Sequence, residues 1–326
     1  MSSASRNSLL FTFIIIAASA LAVMVLMSAQ TARPAPPAAA DQAAPPTIRP
    51  AADRPTTRMP GVLTVAADPN DLPFSNDKLE GFENKLAQLV ADDLGLKLEY
   101  VWRASRRGFI RETLKAGEAD VVMGVPTSLD MTLNTIPYYR SAYVFVSRTD
   151  LSPPIDNFDD PRLRTLKIGV PLTGDSNPPP TYALAERGLV NNVAGYSVWA
   201  DYSQPNPTAQ ILHAVTNNEI DVAIAWGPLA GYFAPLENRP LRVTAIQGDP
   251  LPGIPFAFNI SMGVARGNKV LKGRLDDVLR RHQPDINALL DTYHVPRQTI
   301  VARPKDERPE ESHTTANPAP PPCDCD

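Results

Sequence analysis

Cysteine is almost missing from this chain. The two present, Cys323 and Cys325, stand at the extreme C-terminus. The body of the chain therefore offers neither a disulfide nor a thiol nucleophile, and cysteine usage does not fix its compartment. Positive charge is not in surplus either. The net charge is −4, and no basic patch with interleaved aromatics appears, which removes the electrostatic case for a nucleic-acid partner. Histidine is scarce: His213, His282, His294 and His313 are scattered, and none stands at metal-ligand spacing from another histidine or a cysteine. Cys323 and Cys325 amount to half of a soft-metal site, and a solvated tail is the simpler account of them. Phosphate-cradling glycine loops, nucleophile elbows and haem-attachment motifs are missing too. With no acid–base or nucleophile constellation, the sequence favours a binding protein over an enzyme, with no cofactor of its own.

What is present divides sharply along the chain. Leu9 to Ser28 reads LLFTFIIIAASALAVMVLMS, with Arg6 before it. The run is long enough to span a bilayer. It exceeds the apolar region of a typical secretory signal, and Met27-Ser28-Ala29 is a poor cleavage site. Residues 1–30 fit either a cleaved signal peptide or an uncleaved N-terminal anchor, and both export the rest. Residues 31–60 are rich in Pro and Ala and poor in large apolar side chains, which predicts an extended, semi-rigid linker. Residues 299–326 turn Pro- and charge-rich, the composition of a disordered tail. The middle, 61–298, is long enough for two compact units.

That middle alternates strand and helix patterns. Val62–Val65 predicts a strand, and Ala67 to Ser75 a loop full of turn formers. Phe82, Leu86, Leu89, Val90 and Leu94 recur at helical spacing, and Gly95 supplies a stop. A strand over 96–102 and a helix over 106–116 follow. The stretch from Gly117 to Val146 is the centre of the chain: an acidic turn, the apolar run Val121-Val122-Met123, a Gly-Val-Pro break, then Pro137-Tyr138-Tyr139 and the apolar run Tyr143 to Val146. Apolar runs bounded by Gly and Pro suit buried strands, and the loops after them lie where open α/β sheets hold ligands. Strands at 166–170, 196–198, 221–225 and 241–246, with helices between them, form a second unit. A strand over 256–266 and helices over 269–281 and 284–293 close the pattern. Ala119 to Pro126 and Ile220 to Pro228 share one plan of acidic turn, buried strand, Gly and Pro, which argues for two similar halves.

The order of elements and the phrase ending in Pro137-Tyr138-Tyr139 resemble the periplasmic solute-binding proteins of the amino-acid type. A tighter resemblance rests on Ala67 to Asn76, Gly81 to Lys85, Arg106-Arg107-Gly108-Phe109, Asp120 to Pro126, Pro137 to Ser141 and Ala225 to Pro228. These phrases are similar to the solute-binding-like proteins associated with quinoprotein methanol dehydrogenases, the MxaJ/XoxJ type. The resemblance implies an α/β, two-lobed periplasmic-binding-protein fold (type II). Each lobe would be a mostly parallel sheet flanked by helices, with a central cleft; residues 61–147 and 251–298 would form the first lobe and 148–250 the second. It also implies export to the periplasm, no catalysis, and docking on a PQQ-dependent methanol or alcohol dehydrogenase to assist its assembly or activation. The c-type cytochrome that takes that enzyme's electrons would be a further partner. Relatives often carry two cysteines where Ala66 and Ala119 stand here, so the implied disulfide is lost as a pair.

A zwitterion in a closed cleft needs a fixed cation for its carboxylate and a carboxylate for its ammonium. After the central strand come Thr127, Ser128, Leu129 and Asp130, with no arginine, and Trp226 stands where the second lobe would offer an acid. Both clamps look absent, which predicts a protein that does not carry free amino acids. Candidate cleft residues are Asp68, Asn70, Phe74, Arg106, Pro126, Thr127, Asp130, Tyr139 and Trp226. Asp68 and Asn70 serve equally as turn formers, and Phe74, Tyr139 and Trp226 equally as core. Arg103, Arg106 and Arg107 form a basic cluster at a predicted helix start, where the dipole disfavours them and an acidic partner would relieve them. The alternative function is a periplasmic receptor of an ABC transporter for a small solute other than a free amino acid.

Overall fold

The computed structural model describes residues 56–172, 177–198 and 204–301. The apolar run 9–28, nearly all of the linker, His313, Cys323 and Cys325 lie outside the described residues. Among the described residues no helix is long and apolar enough to cross a membrane.

The first half contains β1 (Val62–Ala67), a two-stranded hairpin of β2 (Asn70–Asp71) and β3 (Ser75–Asn76), and α1 (Phe82–Leu94). It continues through β4 (Lys97–Trp102), α2 (Phe109–Glu112), β5 (Val121–Pro126), β6 (Leu133–Asn134) and β7 (Tyr139–Arg148). The second half holds β8 (Ile168–Leu172), α3 (Pro179–Glu186), β9 (Val193–Ser197), α4 (Gln210–Thr216), β10 (Val222–Trp226), α5 (Gly227–Phe233) and β11 (Leu241–Ala245). The chain then returns through β12 (Ala257–Val264), α6 (Lys269–Arg281) and α7 (Gln283–Thr292).

One strand joins the halves. Tyr139 to Ala142 of β7 pair with β12, and Tyr143 to Ser147 pair with β10. The outer strands run parallel, β4–β1–β5 on one side and β10–β8–β9 on the other, while β12, β7 and β11 pair antiparallel. The result is a two-lobed, mixed α/β fold whose lobes share β7. Helices cover the faces. Phe82, Leu86, Val90 and Leu94 of α1 pack with Leu275, Val278 and Leu279 of α6 and with Ile286 and Leu290 of α7. Each such side chain contributes roughly 1.5–3 kcal/mol by leaving water. Ala66 and Ala119, the positions of the lost cysteines, share one small buried cluster with Leu114, Val122 and Val125.

The repeated acidic turns have the same job in each lobe. The Asp120 carboxylate accepts from the backbone N–H of Thr64, 2.9 Å away, and the Asp221 carboxylate from that of Lys167 at 2.8 Å. Each acid thus ties the strand it precedes to the start of the neighbouring strand. The helix expected over 106–116 shrinks to the single turn of α2. Gly108 enters it at φ +95°, and the Thr113 hydroxyl turns back to the carbonyl of Phe109. The basic cluster there is offset from within the chain, with Arg103 lying 3.7 Å from the carboxylate of Glu112.

The segment expected to be a plain loop after β1 is the hairpin β2–β3, and it sits on the N-terminus of α1. The carbonyls of Pro73 and Phe74 accept the N–H groups of Phe82 and Glu83 at 2.8 and 2.9 Å. Those are donors that a helix start otherwise leaves unsatisfied. Asn84 completes the cap, its side-chain oxygen accepting from the N–H groups of Gly81 and Asn76. Gly81 is required there, since a Cβ would fall 2.0 Å from the carbonyl oxygen of Phe74.

The hairpin tip reaches the other lobe. Leu72, 7% exposed, packs into the cluster of Val144, Ile211, Leu229 and Phe233. Asn70 donates to the carbonyl of Gln204 at 2.9 Å, and Thr208 donates to that of Leu72 at 3.3 Å. Leu72→Ala should lower stability by roughly 2–3 kcal/mol and enlarge the radius of gyration. Urea unfolding and small-angle scattering read the two effects, and an unchanged urea midpoint would show that Leu72 holds nothing across the lobes.

Candidate functional site

The ends of the parallel strands converge on a cleft of about 360 Å³. Its lower wall comes from the first lobe: Asp71 and Phe74 of the hairpin, Glu83 of α1, Ser105 after β4, and Met123, Gly124 and Pro126 of β5. Tyr139 and Tyr143 of β7, Trp226 at the end of β10, and Phe258 and Ile260 of β12 complete it. A cavity of about 370 Å³ also lies along the crossing strands, lined by Arg140, Asp249 and Arg297 among others. The cleft is the stronger candidate because both lobes bring strand ends to it, the place where such sheets hold ligands.

The aromatic wall is steep-sided. Tyr143 meets Trp226 edge to face at 5.4 Å between centroids, and Trp226 meets Phe258 at 6.0 Å with the rings tilted by 58°. Phe74 packs edge-on against Phe82 at 5.5 Å, and Phe82 in turn against Tyr139 at 6.0 Å. Tyr139 and Trp226 face the cleft from opposite lobes.

The acidic side is unusual in its depth. Glu83 is only 8% exposed. The Tyr138 hydroxyl donates to its Oε1 at 3.1 Å and accepts from the N–H of Gly124 at 3.1 Å. Gly124, at φ +69°, has no side chain because one would strike Glu83, whose Oε1 lies 2.5 Å from where a Cβ would stand. Burial pushes the Glu83 carboxyl up to about 7, against the opposing pull of the Tyr138 hydrogen bond. Asp71 lies beside it and is held well above the usual carboxylate range, by burial first and then by the charges of Asp68 and Glu83. Burial and the Glu83 charge hold the Tyr138 and Tyr139 hydroxyls in their protonated form. Neither arginine nor lysine is among the described residues lining the cleft.

The expected site residues fall into three places. Phe74, Pro126, Tyr139 and Trp226 stand on the cleft wall. Asp68 and Asn70 support it from behind: Asp68 accepts from the N–H groups of Asn70 at 2.9 Å and Ser105 at 2.6 Å, pinning the loops after β1 and β4, while Asn70 reaches the second lobe. Arg106, Thr127 and Asp130 do not join the cleft. Arg106 lies exposed in the turn before α2. Thr127 and Asp130 line a separate hollow of about 620 Å³ with Asn134 and Val301, because the chain turns away from the cleft after Pro126. The expectation that both charge clamps are missing is corrected on one side, since Asp71 and Glu83 supply carboxylates from the first lobe. Glu83 escaped sequence reasoning because an acid in the first turn of a helix is ordinarily a solvated partner of the dipole. The available signal was Gly124, since an isolated glycine within a strand marks the close approach of another group. Among the described residues no group of three or more His, Cys, Asp or Glu could hold a metal ion.

This chain belongs to the bacterial extracellular solute-binding proteins, family 3, whose profile matches residues 63–295. Within that class it is of the MxaJ/XoxJ type. It is 30% identical to Protein MoxJ of Methylorubrum extorquens over 249 residues, 72% of this chain and 81% of that protein. It is 28% identical to Protein MoxJ of Paracoccus denitrificans over 72% of this chain and 88% of the relative. The periplasmic binding protein XoxJ from Methylobacterium extorquens AM1 superposes with a TM-score of 0.61 at 37% identity, covering 73% of this chain and all of that one. MxaJ from Methlophaga aminisulfidivorans MPT gives the same TM-score at 25% identity, with 73% of this chain and all of its own chain covered.

The deep carboxylate has a thermodynamic consequence. Because folding raises Glu83 from 4.5 to about 7, the folded protein holds a proton there that the unfolded chain releases. Stability therefore falls as pH rises across that window, by on the order of 3 kcal/mol in all. Glu83→Gln has no such proton to lose and should flatten the profile, leaving only the part due to Asp71. Thermal melts taken from pH 4.5 to pH 8 read this; parallel profiles for the two proteins would acquit Glu83.

Proposed function

We propose that this chain is a non-catalytic periplasmic accessory protein of methanol oxidation, docking on a PQQ-dependent methanol or alcohol dehydrogenase and assisting its assembly or activation. The observation that carries this reading is similarity to the MxaJ/XoxJ type across both lobes combined with a cleft unsuited to the free amino acids of the wider family. The alignment runs through the halves that build the cleft and the shared strand. Among the described residues the cleft offers an amino acid no cation for its carboxylate. In this reading residues 9–28 either leave with a signal peptide or tether the protein, through its linker, beside the inner membrane. The acidic and aromatic cleft favours a second reading, a receptor that delivers a small solute to an ABC transporter. Neighbouring genes discriminate between them: a dehydrogenase and a cytochrome in one case, a permease and an ATPase in the other.

Deleting this chain should abolish or strongly reduce dye-linked methanol dehydrogenase activity in periplasmic extracts, and re-expression should restore it. Normal activity in the deletion strain would leave the accessory role without support. Calorimetry with the common amino acids should give no binding at micromolar concentration; a micromolar complex with any of them would remove the premise that the cleft has left the family's usual substrates.

A further inference from the structure

The cleft has an electrostatic character that docking on a dehydrogenase does not require. Glu83 is more than nine-tenths buried yet forms part of the cleft wall. Only its Oε1 is engaged, by the Tyr138 hydroxyl; Oε2 takes no hydrogen bond among the described residues. Asp71 faces the same space, and its carboxylate likewise has no hydrogen bond or ion pair among the described residues. Opposite them stand the faces and edges of Tyr143, Trp226 and Phe258, set at steep angles to one another. Glu83 is buried with one oxygen unpaired, and the half-buried Asp71 sets a like charge beside it; such carboxylates are costly, and an aromatic wall does not relieve them. A cation relieves both at once. It neutralises the carboxylates, and its alkyl substituents lie against rings whose quadrupole attracts positive charge.

The alternatives fit less well. A neutral apolar ligand would leave the carboxylates unpaired, and a zwitterion would bring a carboxylate beside two acids with no base among the described residues of the lining. A hard metal ion such as calcium takes about six to eight oxygen ligands. Here the acidic wall offers two carboxyl groups, one already tied to Tyr138. The volume, about 360 Å³, is that of a small-molecule site.

We propose that the interlobe cleft is a binding site for a small organic cation without a carboxylate, an alkylammonium or quaternary ammonium compound held between Asp71 and Glu83 and the wall of Tyr143, Trp226 and Phe258. The site would operate whether or not the chain docks on a dehydrogenase, and its test uses no dehydrogenase. The charged and titratable groups around Glu83 are Asp71 and Asp68 from the hairpin side, Tyr100 from β4, and Tyr138 and Tyr139 from the start of β7. The tyrosines are held protonated, so the carboxyl groups of Glu83 and Asp71 are those that must ionise as a cation enters. Affinity for a ligand of fixed charge should therefore rise as pH increases through about 7.

Isothermal titration of the full chain with methylammonium, tetramethylammonium, choline and 1,4-diaminobutane tests this directly. At least one should bind with a Kd below about 1 mM. For choline, the neutral carbon analogue 3,3-dimethylbutan-1-ol and the zwitterion glycine betaine should each bind at least about tenfold more weakly. Asp71→Asn and Glu83→Gln should each weaken cation binding roughly tenfold, and Trp226→Leu by about threefold or more. Circular dichroism and the urea midpoint show that each variant is folded. Should a variant fail to fold, the comparison of choline with its neutral analogue on the unaltered chain still decides. Equal affinity for the two, tighter binding of betaine, or no binding of any of the four cations would overturn the proposal. Loss of dehydrogenase activity in the deletion strain would stand or fall separately.

Discussion

The seating of a short hairpin on the first turn of a helix governs this molecule. A helix start leaves N–H groups without partners, and in α1 the carbonyls of Pro73 and Phe74 take them. The fit is close enough that residue 81 must be glycine. Once the hairpin is fixed, three things follow from adjacent residues. Asp71 is held on the cleft wall, Leu72 is driven into the apolar cluster of the other lobe, and Phe74 closes edge-on over Phe82. Glu83, the next residue along the helix, is sealed beneath. Charge in the cleft and contact between the lobes thus have one structural origin.

Much of the architecture is written in periodicity. The helix of Phe82, Leu86, Val90 and Leu94 and the strands around Val121 and Val222 lie where apolar spacing puts them. Even the kinship of the two acidic turns is legible, because Asp120 and Asp221 make the same backbone contact in each lobe. What periodicity cannot carry is the meeting of distant loops. Thr127 and Asp130 follow the central strand in sequence, yet the backbone turns them out to another hollow. Tyr143 and Phe258 look like plain core residues of apolar strands, and only the crossing of β7 beside β12 turns them toward the cleft. Glu83 was hidden by its position, because a helical first turn is where an acid is most ordinary. Local rules mislead most where a site departs from them, as buried charge does here.

The carboxylates also explain how the cleft can depart from amino-acid recognition without losing its shape. The charge of this cleft comes from the hairpin and from the first turn of α1. Its sign is uniform among the described residues: acids on one side, rings on the other, and no base in the lining. A proton can stand in for a ligand on Glu83, whose carboxyl burial pushes up to about 7, and burial raises that of Asp71 as well. The stored cost of desolvation then becomes selectivity, because only a positively charged guest restores the ionised form.

The contacts made by Leu72 bear on what such a protein can report to a partner. In a receptor that signals occupancy, the ligand supplies the difference in free energy between open and closed lobes, because a ligand shifts an equilibrium only by its differential affinity for the two states. Here the chain supplies part of that difference. Opening the lobes would return Leu72 to water, a loss of roughly 1.5–3 kcal/mol, and would break the hydrogen bonds from Asn70 to Gln204 and from Thr208 to Leu72. Burial of Leu72 alone biases the lobes toward closure about tenfold or more before any ligand arrives. A bias of this kind narrows the difference in outer surface between empty and filled forms. A transporter that must refuse empty receptors gains little from such a surface, whereas an adaptor that must present one constant face to an enzyme gains from it directly. The same seating of hairpin on helix that buries the acids therefore favours the accessory role over delivery.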